Sequence, residues 1–428
     1  MTKHECRNND EARNSNDPVA RDSAFVLGHS SFFRHSCFVI RHFAPVALAL
    51  SAIACGAGLL AGSRPAANDD WPMFRGNAQL TGVATSSLPE KLTLLWTFQA
   101  EGKNEAIESS AAIVDGVAYV GTIGGYLVAI NLNDGSPRWK YATSAPDGDA
   151  NFLPAIKSSP AVAGGKVFFG DETGIFHCLD AATGKPVWKF DTESGAEIIS
   201  SANVVGDRVL FGSYDESLYC LNVADGKQLW KFKTNGYVHC TPAVVEGRTF
   251  ISGCDSQLRV IDIMKGEEIA SCELESQSGA SPAVVGDRLF VGHFGNQVVS
   301  IDWKKPEIVW RYEHADRQYP YYSSAAATAD LVIVGGRDKI VHALDPKTGV
   351  AKWTFPTRGR VDSSPVLVGK RAFIGSQDGN VYGLDTSNGK EIRRFTTGAA
   401  VSASPAVAAG RLVIGNEQGK VFCFGEKR

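Results

Sequence analysis

The 428-residue sequence carries no excess of basic charge, since 43 Lys and Arg face 46 Asp and Glu. That balance leaves no electrostatic footprint for nucleic acid, whose binding rests on neutralising phosphates. There is no Gly-x-Ser-x-Gly elbow, no His-Glu-x-x-His and no Gly-rich phosphate loop. The hydrolase, zinc-protease and nucleotide-binding readings therefore lack their residues. No two cysteines are adjacent, and Cys-x-x-Cys-His, which would attach haem, is missing. No Pro/Ser-rich linker divides the chain downstream of residue 90, so a single unit is expected there.

What is present is repetition. The stretch SSPAVAGGKVFFGDETGIFHCLDAATGKPVWKF, Ser158 to Phe190, reads as four short strands: Ala161 to Ala163, Lys166 to Phe169, Ile175 to Leu179 and Pro186 to Phe190. Gly, Asp or Thr stands at each break, as tight hairpin turns require. Such a sheet is too small to bury both its faces, so copies must stack. The third strand and its turn recur as AINLNDG, CLDAATG, CLNVADG, VIDIMKG, SIDWKKP, ALDPKTG and GLDTSNG, beginning at Ala129, Cys178, Cys220, Val260, Ser300, Ala343 and Gly383. Their spacings of 49, 42, 40, 40, 43 and 40 residues match a four-stranded propeller blade.

The ends of the repeat region supply the closure. The last copy stops after three strands at Phe424, and KLTLLWTF, Lys91 to Phe98, is a fourth strand without a blade. Joining them removes an open sheet edge. The expectation is an all-β, eight-bladed β-propeller of four-stranded antiparallel blades, closed by an N-terminal strand that completes the C-terminal blade. Tryptophans recur on fourth strands at Trp96, Trp139, Trp188, Trp230, Trp310 and Trp353, whereas Ala270 and Arg393 stand where two more belong. Each indole wedged between blades would bury about 200 Å² and contribute at most roughly 5 kcal/mol, so two seams should be looser. Lys305-Pro306 replaces the usual turn Gly, so that turn must be built differently.

The run matched by CLDAATGKPVW and ALDPKTGVAKW resembles the tryptophan-docking repeat of the pyrroloquinoline-quinone (PQQ) propeller superfamily. That superfamily includes quinoprotein dehydrogenases and a lipoprotein subunit of outer-membrane assembly. The resemblance spans roughly residues 90 to 424 and speaks to fold more than to function. For an enzyme it implies PQQ beneath an adjacent Cys-Cys disulfide, a Ca²⁺ held by carboxylate and amide groups, and an Asp base. This sequence lacks the disulfide pair and the long insertions that wall such a pocket. Acidic second-to-third turns at Asp171-Glu172, Asp215-Glu216 and Asp378 read as solvent-facing turn formers.

Ahead of the repeats, residues 1–63 combine a polar leader with the apolar run Ala44 to Ala61. That layout suits export. Cleavage after Ser63, a lipobox at Ala52 to Cys55, and an uncleaved anchor are the three alternatives. Residues 1–63 hold six Lys/Arg and five Asp/Glu, leaving 37 basic and 41 acidic residues. Residues 64–90 form a lead-in, with DDWPMFRGNAQLTGVA expected to pack across the ring, and 91–428 form the propeller.

Cys178, Cys220 and Cys423 share a third-strand position that suits small residues, and so read as buried thiols. Cys240 and Cys254 would face each other if the hairpin turned at Glu246-Gly247-Arg248, a candidate disulfide in an oxidising compartment. Function is expected on the rims. The longest inter-blade loops are Ala142 to Lys157, with Phe152, and Glu313 to Tyr322, where Arg317, Tyr319, Tyr321 and Tyr322 have the composition of a binding patch. The leading expectation is a monomeric, non-catalytic scaffold, exported to the periplasm or envelope and binding envelope proteins, with a membrane tether supplied by its N-terminal segment. It needs no cofactor. A PQQ and Ca²⁺-dependent dehydrogenase is the alternative, as is a funnel binding a small ligand or carbohydrate through Ser109-Ser110, Ser158-Ser159, Ser200-Ser201, Ser323-Ser324 and Ser363-Ser364, whose hydroxyls could instead satisfy nearby backbone.

Overall fold

The structure, a computed structural model, describes residues 69–102, 105–145, 148–149 and 152–427. The export, lipobox and anchor readings fall on residues outside that set. The unit Ala67–Arg428 contains every strand.

Thirty-two strands form eight four-stranded sheets, and no helix occurs among the described residues. Seven blades take their strands consecutively, at 112–142, 161–191, 203–233, 243–273, 283–312, 326–356 and 366–396. The eighth adds Thr93–Gln99 antiparallel to Lys420–Gly425, with Trp96 opposite Cys423. This is the propeller that the repeat spacing requires. Strand limits differ from the sequence reading by a residue or so: the second strand of blade 2 is Lys166–Gly170 and the third is Ile175–Asp180.

The serine pairs do not line the channel. In blades 1 and 2 the first hydroxyl pins its own sheet: Ser109 Oγ donates to Gly121 O and accepts from Gly121 N, both at 2.9 Å, and Ser158 does the same to Gly170. The second hydroxyl joins blades. Each blade's backbone N–H donates to the next blade's Oγ, from Ser110 to Ser159, Ser201, Thr241, Ser281, Ser324, Ser364, Ser404 and back to Ser110, at 2.8–3.3 Å. A closed belt of hydrogen bonds thus satisfies backbone groups that the converging inner strands would otherwise bury unpaired.

The outer seams are closed by indoles. Trp96, Trp139, Trp188, Trp230, Trp310 and Trp353 each donate Nε1–H to a carbonyl of the following blade's turn, at 2.9–3.2 Å. Each ring also covers that turn's glycine. At Gly389, φ is +70° and an added Cβ would lie 2.5 Å from Trp353, so both backbone conformation and close approach require glycine. Small residues face the indoles across the sheet, among them Cys178, Cys220 and Cys423. All three thiols are buried, and burial pushes each pKa up to about 12.

The two seams without a fourth-strand indole differ from one another. Beside Ala270, Trp303 of blade 5 fills the space, meeting Phe250 edge-on at 5.2 Å and donating to Gly286 O at 2.9 Å. The expected loosening does not occur there. Because Pro306 has no N–H, its turn uses Lys305 N to Asp302 O in place of the Gly N bond of the other turns, such as Gly266 N to Asp262 O. Beside Arg393 no indole enters; the Arg371 guanidinium lies 5.7 Å over Phe373 and donates to Pro89 O and Leu88 O of the lead-in, and a cleft lined by Leu88, Leu92 and Ile392 stands beside it.

The lead-in crosses one face of the ring. Its backbone pairs with inner strands at Trp71–Ile113, Pro72–Val162, Ala78–Val244, Gln79–Val284, Thr81–Ala327, Gly82–Leu367 and Asp69–Ala409. Exposed inner-strand edges are thereby capped. Trp71, Arg75 and Leu80 are fully buried in this plug. The Arg75 guanidinium reaches Ala325 O, and burial lowers its pKa to about 9.

Candidate functional site

With one face plugged, the channel is a funnel open at the other. Its wall is set by one column of the repeat, the residue before each serine pair or its equivalent: Glu108, Lys157, Ile199, His239, Gly279, Tyr322, Asp362 and Ser402. The residue before that is the buried wedge, Ile107, Ile156, Ile198, Val238, Ser278, Tyr321, Val361 or Val401. Alternation along an extended strand separates the two.

That alternation corrects the expected Tyr patch. Tyr321 is a wedge, 2% exposed, with its Cβ against the Gly292 position and its ring in the seam between blades 5 and 6. It cannot contact a partner. Tyr322 faces the funnel, and Tyr319 is 53% exposed on the rim. The exposed Arg317 donates to Asp338 O at 3.0 Å, bracing the loop. Phe152 is exposed, but it lies between blades 1 and 2, four blades from the tyrosines, so the two loops do not form one patch.

The proposed Cys240–Cys254 disulfide is also corrected. Cys240 is a buried free thiol occupying the first-serine position, where its Sγ accepts from Ser252 N at 3.2 Å. Cys254 lies beyond that strand end, in the following turn. Nor do all the acidic turns face solvent. Asp171 is buried, accepts from Thr173 and Ile175 backbone N–H, and meets His177 Nε2 at 2.7 Å. Asp338 likewise meets His342.

One sector of the funnel is aromatic and hydrogen-bonded. His239 stands between Tyr214, whose hydroxyl is 2.7 Å from Nδ1, and Tyr322, whose hydroxyl is 2.6 Å from Nε2. Tyr322 reaches His239 across Gly279, where a Cβ would approach the tyrosine ring to 2.8 Å. Tyr237 stacks on Tyr214 at 4.6 Å and is 42% exposed at the rim. The Arg337 guanidinium lies 4.7 Å over Tyr322 and pairs with Asp362 at 2.9 Å, which Arg360 also approaches. Burial, reinforced by Lys157 and Arg337, lowers the His239 pKa to about 4, so the imidazole is neutral near pH 7. Next to this sector Lys157 pairs with Glu197 at 3.3 Å, and Glu197 O accepts from Tyr214 N at 2.9 Å. Desolvation raises the pKa of Glu108, Lys157 opposes this and Glu417 adds to it.

Of the predicted site residues only Tyr322 belongs to this sector. Tyr214, Tyr237, His239, Arg337, Asp362 and Phe294, whose ring lies 6.1 Å from that of Tyr322, were missed, although the column before Ser-Ser, varied in charge and size beside near-constant neighbours, was a usable signal for His239 and Asp362.

The family model described as outer membrane protein assembly factor BamB matches residues 78–176, 171–273 and 264–428. The chain belongs to this PQQ-like propeller family. Among solved structures it is similar to BamB from Moraxella catarrhalis, with 21% identity and TM-score 0.64 over 79% of this chain and 98% of that one. It is also similar to the quinohemoprotein alcohol dehydrogenase of Comamonas testosteroni, with 14% identity and TM-score 0.69 over 86% and 82%. A europium-containing methanol dehydrogenase gives 14% identity and TM-score 0.70 over 83% and 98%. At such identities the likeness is one of fold. Among curated proteins no sequence matches.

Proposed function

We propose that the protein is a non-catalytic scaffold of the cell envelope that holds a segment of a protein partner in the mouth of the funnel. The observation that carries this reading is the Tyr237–Tyr214–His239–Tyr322–Arg337 sector, a braced aromatic wall with an exposed rim. Aromatic and Arg side chains held rigidly lose little conformational entropy on binding. Membership in a family named for outer-membrane assembly is consistent with an exported scaffold.

The residues present do not fit PQQ with Ca²⁺. Asp362 is neutralised by Arg337 and Arg360, Asp171 and Asp338 are turned onto histidines, and no cluster of three metal-type side chains occurs among the described residues. A carbohydrate funnel loses its proposed hydroxyls to the belt.

Site-specific photo-crosslinking in cells tests the scaffold. A crosslinker at position 237 is expected to capture an envelope protein that one at the outer-edge position 187 does not. Equal capture at both positions, or stoichiometric uptake of PQQ and Ca²⁺ by the purified protein with a cofactor absorption band, would overturn the proposal.

A further inference from the structure

Five blades hold a polar side chain of the third strand in one way: a carboxylate of the second-to-third turn binds it, and a fourth-strand ring of the preceding blade packs against it. The pairs are His177 with Asp171, Tyr219 with Asp215, Arg259 with Asp255, His342 with Asp338 and Tyr382 with Asp378. The rings are Tyr141, Phe190, Phe232, Tyr312 and Phe355, at 5.3–5.9 Å. Blade 1 keeps this frame and lacks the occupant. Phe98 is the ring, but Val128 replaces the polar side chain, and Gly124 stands where four of the blades carry their Asp, four residues ahead of the occupant. Glu105 brings the carboxylate from the preceding loop instead, since a Cβ at Gly124 would lie 2.3 Å from its Oε1. It is 7% exposed, no donor meets it among the described residues, and its Oε2 is buried unpaired. A cavity of about 280 Å³ remains, with Glu105, Phe98, Val128 and Lys140 among its walls and Glu101 and Arg138 balancing in charge.

We propose that this cavity, between blades 8 and 1 and separate from the aromatic sector of the funnel, binds a phenol, whose hydroxyl donates to Glu105 and whose ring packs against Phe98. The other seams define the guest. Where the preceding ring is a tyrosine, the occupant is an imidazole whose Nδ1 meets the tyrosine hydroxyl, at Tyr141–His177 and Tyr312–His342. Phe98 has no hydroxyl to offer. Where the preceding ring is a phenylalanine, the fourth-strand residue opposite the occupant decides. Ser271 stands opposite the guanidinium of Arg259, whereas Lys231 and Arg394 stand opposite the phenols of Tyr219 and Tyr382 and lie over their rings at 4.7 and 4.9 Å. Opposite Val128 stands Lys140, whose charge opposes a cationic guest and suits an aromatic face. Its ammonium lies 3.5 Å over Tyr126, but no hydrogen bond joins the Tyr126 hydroxyl to Glu105 among the described residues. A buried carboxylate without a donor is costly, and a phenolic O–H would give it a charge-assisted bond. A free phenol and a tyrosine side chain of another protein share this chemistry.

Ligand-observed NMR titration of the full chain with p-cresol, 4-methylanisole and N-acetyltyrosinamide tests the assignment. p-Cresol is expected to bind at least about tenfold more tightly than 4-methylanisole, which keeps the ring and lacks the donor. Comparable binding of N-acetyltyrosinamide assigns the site to a tyrosine side chain, and its exclusion assigns it to a free phenol. Val128→Tyr, which supplies the phenol from within as Tyr219 and Tyr382 do, should abolish binding and raise the melting temperature. Glu105→Leu, which removes the acceptor, should erase the preference for p-cresol. Equal binding of 4-methylanisole, an unchanged preference in Glu105→Leu, undiminished binding to Val128→Tyr, or no saturable binding of either phenol would overturn the proposal.

Discussion

The seams on either side of the consensus departures, between blades 4 and 5 and between blades 7 and 8, lost the same residue and solved the loss differently. At the first, Ala270 leaves a gap that Trp303 enters from the opposite blade, recovering both the contact with Phe250 and a backbone hydrogen bond. At the second, the following blade has no third-to-fourth turn, because its outer strand Thr93–Gln99 comes from the other end of the repeat region. There is no turn glycine for an indole to cover and none to supply a compensating one. A missing core side chain is tolerated either by replacement across the interface or by a surface cleft, and local topology decides which.

The contrast can be broken most directly at Trp303. Trp303→Ala should cost about 3–5 kcal/mol in denaturant unfolding, as for other large-to-small core changes; a loss under about 1 kcal/mol would mean that Trp303 is not the substitute wedge. Ala270→Trp should overpack against Trp303 and cost about 1–3 kcal/mol. Combining it with Trp303→Ala should cost less than the sum of the two, and simple additivity would show that the residues do not share the space.

Acid offers a control that separates both seams from the funnel. Burial lowers the pKa values of His239 and His293 from 6.5 to about 4; Lys157 and Arg337 reinforce this at His239, while at His293 Arg311 reinforces it and Glu275 opposes it. The unfolded chain therefore takes up these protons first, and stability present above pH 6.5 is lost as pH falls toward 4. Unfolding curves of His239→Phe should show a shallower loss in that window, while Trp303→Ala should keep the parental slope. The smallest effect is expected at the open seam, where Arg393→Ala should change stability by no more than about 0.5 kcal/mol.

The blades were legible because each turn, indole and serine pair recurs in register, and a small sheet with a greasy face has few alternatives to stacking. The closing strand was legible for the same reason, as an orphan at each end demanded a partner. Side-chain direction was less so. Tyr321 and Tyr322 look equivalent in a loop of tyrosines, yet one position of strand alternation sends the first into a seam and the second into the funnel. The Cys240–Cys254 pairing failed similarly, because the register set Cys240 against Ser252.

By itself the sequence determined the number of blades, their closure and the six fourth-strand indoles, since these follow from periodic local patterns. Only the tertiary structure decided what shares a wall. Tyr214, His239 and Tyr322 come from blades 3, 4 and 6 and meet along one sector of the wall, a neighbourhood that no local pattern encodes. The filling of one seam by Trp303 and the opening of the other likewise depend on which blade stands next door.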